Sequence, residues 1–237
     1  MSNFSNAFTF IGHNVHLLVS KTGVLLLLSL EAMIIAVIIA IPLGVILGHV
    51  HRFSFLAINT SNFGRALPSL AILSILLPFV GIGKTDVVIA LVILAFPPIL
   101  TNTYVAIEQV DPDAVEAATG MGMRPSQIIL RVEIPLALPL IFAGVRTSAV
   151  FVVATAPLAG FFGGGGLGDI IANRASFGLS GVIGASYVII VLALVAQVLF
   201  IAVERAVTPR GLRAERAQDD RPPIQEPEDR ALVTQAA

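Results

Sequence analysis

Between Val24 and Val203 the chain holds five stretches that stay apolar for about as long as a helix needs to cross a hydrocarbon layer. They run from about Val24 to Leu47, Leu56 to Val80, Asp86 to Tyr104, Leu136 to Phe162 and Val182 to Val203. At about 1.5 Å of rise per residue, roughly 20 apolar residues span the bilayer interior. The second stretch is weakened by Asn59, Asn62, Arg65 and Pro68, and the third contains Pro97-Pro98. The stretches lack period-two alternation and exceed a barrel strand's length, so strands are a poor alternative.

The charges agree with this class. Of the 29 charged residues, 13 fall in the last 34 positions, which leaves 16 for the first 203 residues. So few charges cannot cover the surface of a water-soluble domain. A free cytosolic enzyme, a nucleic-acid binder with a basic face and a disordered chain are all excluded. The absence of cysteine excludes disulfides, thiolate metal sites and a cysteine nucleophile. The expectation is an all-α, multi-pass membrane protein with a five-helix core.

Loop charges orient it. With the amino terminus outside, the inner side receives Arg52, Arg124, Arg131, Arg205, Arg210, Arg213 and Arg216, and the outer side Lys21, Lys84 and Arg174. Five spans then place the carboxyl terminus inside. The domains expected are an extracytoplasmic leader over 1–22, a transmembrane domain over 23–206 and a disordered cytoplasmic tail over 207–237. In the leader, Phe4, Phe8, Ile11, Val15 and Leu18 recur at helical spacing, which predicts an amphipathic helix on the outer membrane surface. The tail is rich in proline and mixed charge.

The longest inner loop, about 105–134, is more than a connector. Asp111-Pro112-Asp113 has the form of a helix start: a capping acid, proline in the first turn, then a second acid. Ala114, Ala117, Ala118 and Met121 follow at the spacing of one helical face, and Gly122 is placed to stop the helix. Arg124-Pro125 starts a second short helix, and Pro135 and Pro139 mark the return to the membrane. A small, alanine-lined helix outside the bilayer can dock in a partner's groove, with Asp113 and Glu116 supplying charge-assisted hydrogen bonds. It can equally be a re-entry helix packed on its own spans. The residues alone leave both readings open.

Glu116-Ala117-Ala118, Gly122 and Val132-Glu133-Ile134-Pro135, at their spacing, resemble the EAA loop of bacterial ABC importer permeases. Val132 and Ile134 are mild apolar departures from the usual ending. Within that family the chain looks closest to osmoprotectant permeases for glycine betaine, carnitine, choline or proline. Val110-Asp111-Pro112 and Ala143-Gly144-Val145-Arg146-Thr147 carry that likeness better than Gly165-Gly166-Leu167-Gly168-Asp169, which methionine importers share. The resemblance implies that the loop over 108–135 couples the spans to a separate ATPase subunit, through Asp113, Ala114, Glu116, Ala117, Ala118, Met121, Gly122 and Pro135. It also implies a second permease subunit, an extracytoplasmic binding protein and a bacterial cytoplasmic-membrane location. No cofactor or metal is expected in this chain; ATP and magnesium belong to the ATPase. A methionine or other amino-acid importer is the alternative, and an ion-coupled carrier a distant one.

Two motifs are decoys. Gly163-x-Gly165-x-x-Gly168 matches a dinucleotide fingerprint in letters but has no strand–turn–helix context. Gly83-Lys84-Thr85 resembles the end of a phosphate loop, but the position of the first glycine is Pro78. His49 and His51, beside Arg52, read as solvated residues. Two charges inside spans stand apart: Glu31 in the first and Arg146 in the fourth. Charges at such depth face a bundle interior, a cavity or each other. Glu31 and Arg146 are therefore candidates for the translocation path, with Glu31 either paired to Arg146 or facing a companion subunit; Phe151 joins them as an aromatic that could hold a quaternary ammonium by cation–π attraction.

Overall fold

The computed structural model describes residues 2–50 and 68–207, and these are helical almost throughout. Helix α1 (Ser2–His13) leads into α2 (Val15–Val50), and after residue 67 come α3 (Ser69–Val80) and α4 (Lys84–Glu108). Two short helices, α5 (Pro112–Gly120) and α6 (Pro125–Ile128), precede a π-helical turn at Ile129–Glu133 that runs into α7 (Ile134–Thr155). A 3₁₀ segment (Ala156–Phe162), α8 (Gly168–Ala172) and α9 (Arg174–Val207) complete the described fold. Among the described residues, four helical stretches are long and apolar enough to cross a membrane: Val15–Val50, Lys84–Glu108, Pro125–Phe162 and Arg174–Glu204. Of the second expected span only Pro68 and the twelve residues of α3 are described; Asn59, Asn62, Arg65, His51 and Arg52 lie outside the described residues, as does the tail beyond Val207.

The centre of the bundle is built on small residues. Ala32, Ala36, Ala40, Gly44 and Gly48 recur every four residues along α2, and all are buried. This row lets the backbone of α4 approach closely, the small-residue device by which helices pack where lipid supplies no hydrophobic drive. A methyl group on Gly44 would lie 2.7 Å from Cβ of Thr103, and one on Gly48 2.7 Å from Cβ of Ile107. Both pairs keep the same offset in sequence, so α2 and α4 run parallel. Helix α7 runs the other way: Gly144 faces Asn102, and Ser148, four residues on, donates a 2.8 Å hydrogen bond to the Ala95 carbonyl. That carbonyl lies just before Pro97-Pro98, where two amide donors are missing from the helix.

Three boundaries differ from the sequence expectation. The first long helix begins at Val15 and takes in the last residues of the expected leader, because helical hydrogen bonding continues through Asn14. Helix α1 is packed against the bundle. It rests on α9, with Phe8 stacked on Tyr187 at 5.6 Å, Phe10 edge-on to Phe177 at 6.4 Å and Ala7 against Gly184. The fourth span is α-helical only to Thr155 and tightens to 3₁₀ from Ala156, where Pro157 cannot continue the hydrogen-bond ladder.

Candidate functional site

The loop between α4 and α7 folds as its capping residues dictate. Asp111 is the N-cap of α5, and its side chain accepts from the Asp113 amide at 2.9 Å, with Pro112 in the first turn. At the other end the amide of Met123 bonds to the Ala118 carbonyl and that of Gly122 to the Thr119 carbonyl, with Gly122 at φ 78°. This is a Schellman closure, in which only a residue tolerant of positive φ can sit. Gly122 therefore ends the helix as expected, one residue beyond the cap Met121. The second helix restarts at Arg124, whose amide is held by the Gln127 side chain at 2.8 Å.

The return into the membrane is not a plain helix start. Pro135 has no amide to offer and its ring crowds the carbonyl of Arg131, so the preceding turn widens. The amide of Ile134 reaches back five residues to the Ile129 carbonyl, closing the π turn. Inside it lies Glu133, whose residue is 3% exposed. One carboxylate oxygen meets Nδ1 of His49, from the end of α2, at 2.8 Å; the other, Oε2, has no hydrogen-bond partner among the described residues. An apolar cluster of Val45, Ala106, Ile107, Ala137 and Ile141 packs beside this contact, with Val110, Ile129 and Ile134 at its edge. Close by, Tyr104 donates to Glu108 at 2.6 Å. Helices α2, α4 and α7 and the π turn thus meet in one joint. The sequence reading of His49 as a solvated residue is corrected: the protein uses it to brace the loop. The signal available was Glu133 itself, a lone acid between apolar neighbours.

The structure also divides the expected alanine face. Ala118 is 1% exposed, and Ala114 and Val115 are half-buried beside it. These residues hold α5 against the protein. Asp113, Glu116, Ala117, Gly120 and Met121 are exposed, Met121 at 75%. Their spacing of three, four, seven and eight places them on one outward face. Ala117 and Ala118, adjacent in sequence and about 100° apart around the axis, therefore differ: the first is exposed and the second is seated. Asp113, Glu116, Ala117 and Met121 are available to a partner; Ala114, Ala118, Gly122 and Pro135 shape and seat the helix.

The candidates inside the spans separate. Arg146 pairs through Nη1 with Glu204 of α9 at 2.8 Å, and Glu31 pairs with Nζ of Lys84 at 2.7 Å. The expected alternative of a Glu31–Arg146 pair is thus corrected. The helix register puts Arg146 level with about residue 39 of α2, some 12 Å along the axis from Glu31. Phe151 is 43% exposed on α7. At the far end of the bundle, Gly163, Gly165 and Gly166 take positive φ, and Gly166 packs on Leu25 at the start of the first span. Lys21 pairs there with Asp169. The loop follows a 3₁₀ segment, which removes the dinucleotide reading on structural grounds as well. Among the described residues, no three His, Cys, Asp or Glu side chains gather as metal ligands.

Residues 40–211 match the family described as binding-protein-dependent transport system inner membrane components. A Bacillus subtilis relative, the glycine betaine/carnitine/choline transport system permease protein OpuCB, is 40% identical over 86% of this chain and 95% of its own length. The carnitine transport permease protein OpuCB of Listeria monocytogenes is 38% identical over 88% and 96%, and the choline transport system permease protein OpuBB of B. subtilis 39% over 83% and 91%. Among solved structures, an inward-facing form of the MetNI methionine ABC transporter superposes with a TM-score of 0.73 at 24% identity, over 82% of this chain and 98% of that one. That likeness speaks for the fold.

Proposed function

The chain belongs to the family of binding-protein-dependent transport system inner membrane components, and we propose that it is the permease subunit of an ATP-driven importer for a small osmoprotectant such as glycine betaine, carnitine, choline or proline. The relatives named for such solutes, at 38–40% identity over nine-tenths or more of their length, carry this reading. The MetNI likeness, at 24% identity, concerns architecture and does not carry the methionine alternative.

In this reading the end of the bundle that bears α5 faces the cytoplasm and the glycine loop faces outward. The outward stripe of Asp113, Glu116, Ala117 and Met121 enters a cleft of a separate ATPase subunit. ATP and magnesium bind there, and this chain supplies no catalytic group. Closure of two ATPase subunits displaces α5. The joint of Glu133, His49 and the apolar cluster passes that displacement to α2, α4 and α7 together, so the path opens to one side at a time. A loaded binding protein docks on the outer face, and two permease chains, identical or related, enclose the path.

The test is reconstitution of the full complex in proteoliposomes. ATP-dependent accumulation of labelled glycine betaine, carnitine or choline that requires the binding protein is the expected result. Accumulation of methionine instead, or uptake that persists without ATP, would overturn the assignment.

A further inference from the structure

The Glu31–Lys84 pair sits where an ion pair has no reason to face lipid. Gly166 of the outer loop packs beside Leu25, and Glu31 lies six residues further along α2, about 9 Å deeper at 1.5 Å per residue. Lys84 opens α4, which runs parallel to α2, and reaches Glu31 at 2.7 Å. Yet the two side chains remain 45% and 61% exposed. The Arg146–Glu204 pair behaves differently: its side chains are 28% and 19% exposed, folded between α7 and α9. Charged groups at membrane depth are costly against acyl chains and turn towards water or protein. Around Glu31, Leu27 and Ile35 share its side of α2, one turn on either side, and both are exposed.

From this placement we propose that the Glu31–Lys84 pair lines the solute path near its outer end and is a transient site for a zwitterion, in which Glu31 receives the cationic end of the solute and Lys84 its carboxylate. The proposal rests on the importer reading above. A quaternary ammonium group donates no hydrogen bond, so a carboxylate can hold it only by charge. The Lys84 ammonium, a mobile point charge with three donors, suits a carboxylate. A zwitterion entering the pair exchanges one ion pair for two, and net charge is unchanged at every stage. No bare charge is left facing a low-dielectric wall, and the solute is not held so tightly that it cannot leave, which is the balance a conducting site requires.

The chain contains no cysteine, so single thiols can be placed without background. In the reconstituted full complex, Ile35→Cys is expected to react with a membrane-impermeant cationic thiol reagent, and millimolar glycine betaine to slow that reaction at least threefold. Glu31→Gln or Lys84→Gln in the same background should abolish the protection while the complex still assembles. An Ile35→Cys thiol that reacts only with membrane-permeant reagents, or protection that survives both neutralisations, would overturn the proposal. Wild-type complex that accumulates glycine betaine while Ile35→Cys shows no protection would defeat this site alone. Wild-type complex that accumulates none of the four solutes would defeat the importer reading, and the proposal with it.

Discussion

The two ends of this bundle are held together by different means. At the end that carries α5, side chains do the joining: Glu133 is buried against His49, and five apolar residues from α2, α4 and α7 pack into one cluster. At the other end Leu25, Val87, Leu167 and Ile170 are also buried in an apolar core, but the loop itself is closed by absent side chains. A methyl group on Gly168 would lie 1.7 Å from the Pro157 carbonyl oxygen, and one on Gly160 2.0 Å from the Gly168 backbone. Backbone rests on backbone there, and the ion pairs around it, Lys21–Asp169 and Glu31–Lys84, stay partly exposed. A side-chain joint can transmit a push because its members interlock. A backbone contact between glycines is close but adds few interlocking atoms of its own.

The largest effect should come from filling that glycine contact. Gly168→Ala forces the 3₁₀ segment away from α8, since no flexible side chain is present to give way; a cost of about 3 kcal/mol is in line with severe overpacking. Gly165→Ala, in the same loop, meets only ordinary contacts beyond 3.4 Å but must hold φ near 82°. It should cost about 1 to 2 kcal/mol, the usual penalty for an L-residue in the left-handed region. Thermal unfolding in detergent, read by retention of monodisperse protein, separates the two. Equal losses would mean that backbone conformation, rather than close approach, sets stability at this end.

The next effect concerns the opposite end and splits a dipeptide. Ala118→Glu places a carboxylate where the wild-type residue is 1% exposed, and should prevent stable seating of α5, at about 2 to 3 kcal/mol. Ala117→Glu, on the exposed side, should leave the melting temperature within the small range of surface substitutions, about 0.5 kcal/mol, yet abolish solute-coupled ATP hydrolysis by blocking docking. Thermal stability of the isolated permease and ATP hydrolysis by the complex read the two properties apart. If both variants lose stability equally, the division of the helix into a seated and a free side is wrong.

That division also shows where reading the sequence stopped. The loop's capping pattern, Asp111-Pro112-Asp113 and Gly122, specified α5 because local hydrogen bonds decide helix ends. The apolar stretches specified long helices because length and composition alone suffice for a span. Helical spacing grouped Ala114, Ala117, Ala118 and Met121, but small residues sit comfortably on either side of a helix, and nothing local says which side has the protein beneath it. The partners of Glu31 and Arg146 were hidden for a related reason. Each charge predicts some partner, while the choice between Lys84, Glu204 and each other depends on the parallel run of α2 and α4. That arrangement follows from the Ala32-to-Gly48 row of small residues, a signal present in the sequence but readable only once the facing helix is known.

The smallest effect compares the two polar braces. Lys21 and Asp169 are 29% and 28% exposed, so their attraction is screened, and Lys21→Ala should cost no more than about 1 kcal/mol. His49→Ala removes a 2.8 Å contact from a carboxylate whose side chain is 4% exposed, and whose other oxygen lacks a partner among the described residues. Leaving such a buried acceptor less satisfied should cost about 1 to 3 kcal/mol. The double variant His49→Ala with Glu133→Gln then becomes informative, because a neutral amide at 133 is cheaper to bury than a carboxylate. It should recover part of the stability lost in His49→Ala. Solute-coupled ATP hydrolysis should nevertheless stay low, since the tie between α2 and the loop is gone. Recovery of both properties would mean that the contact only neutralises a buried acid, and that force reaches α2 by the apolar cluster alone.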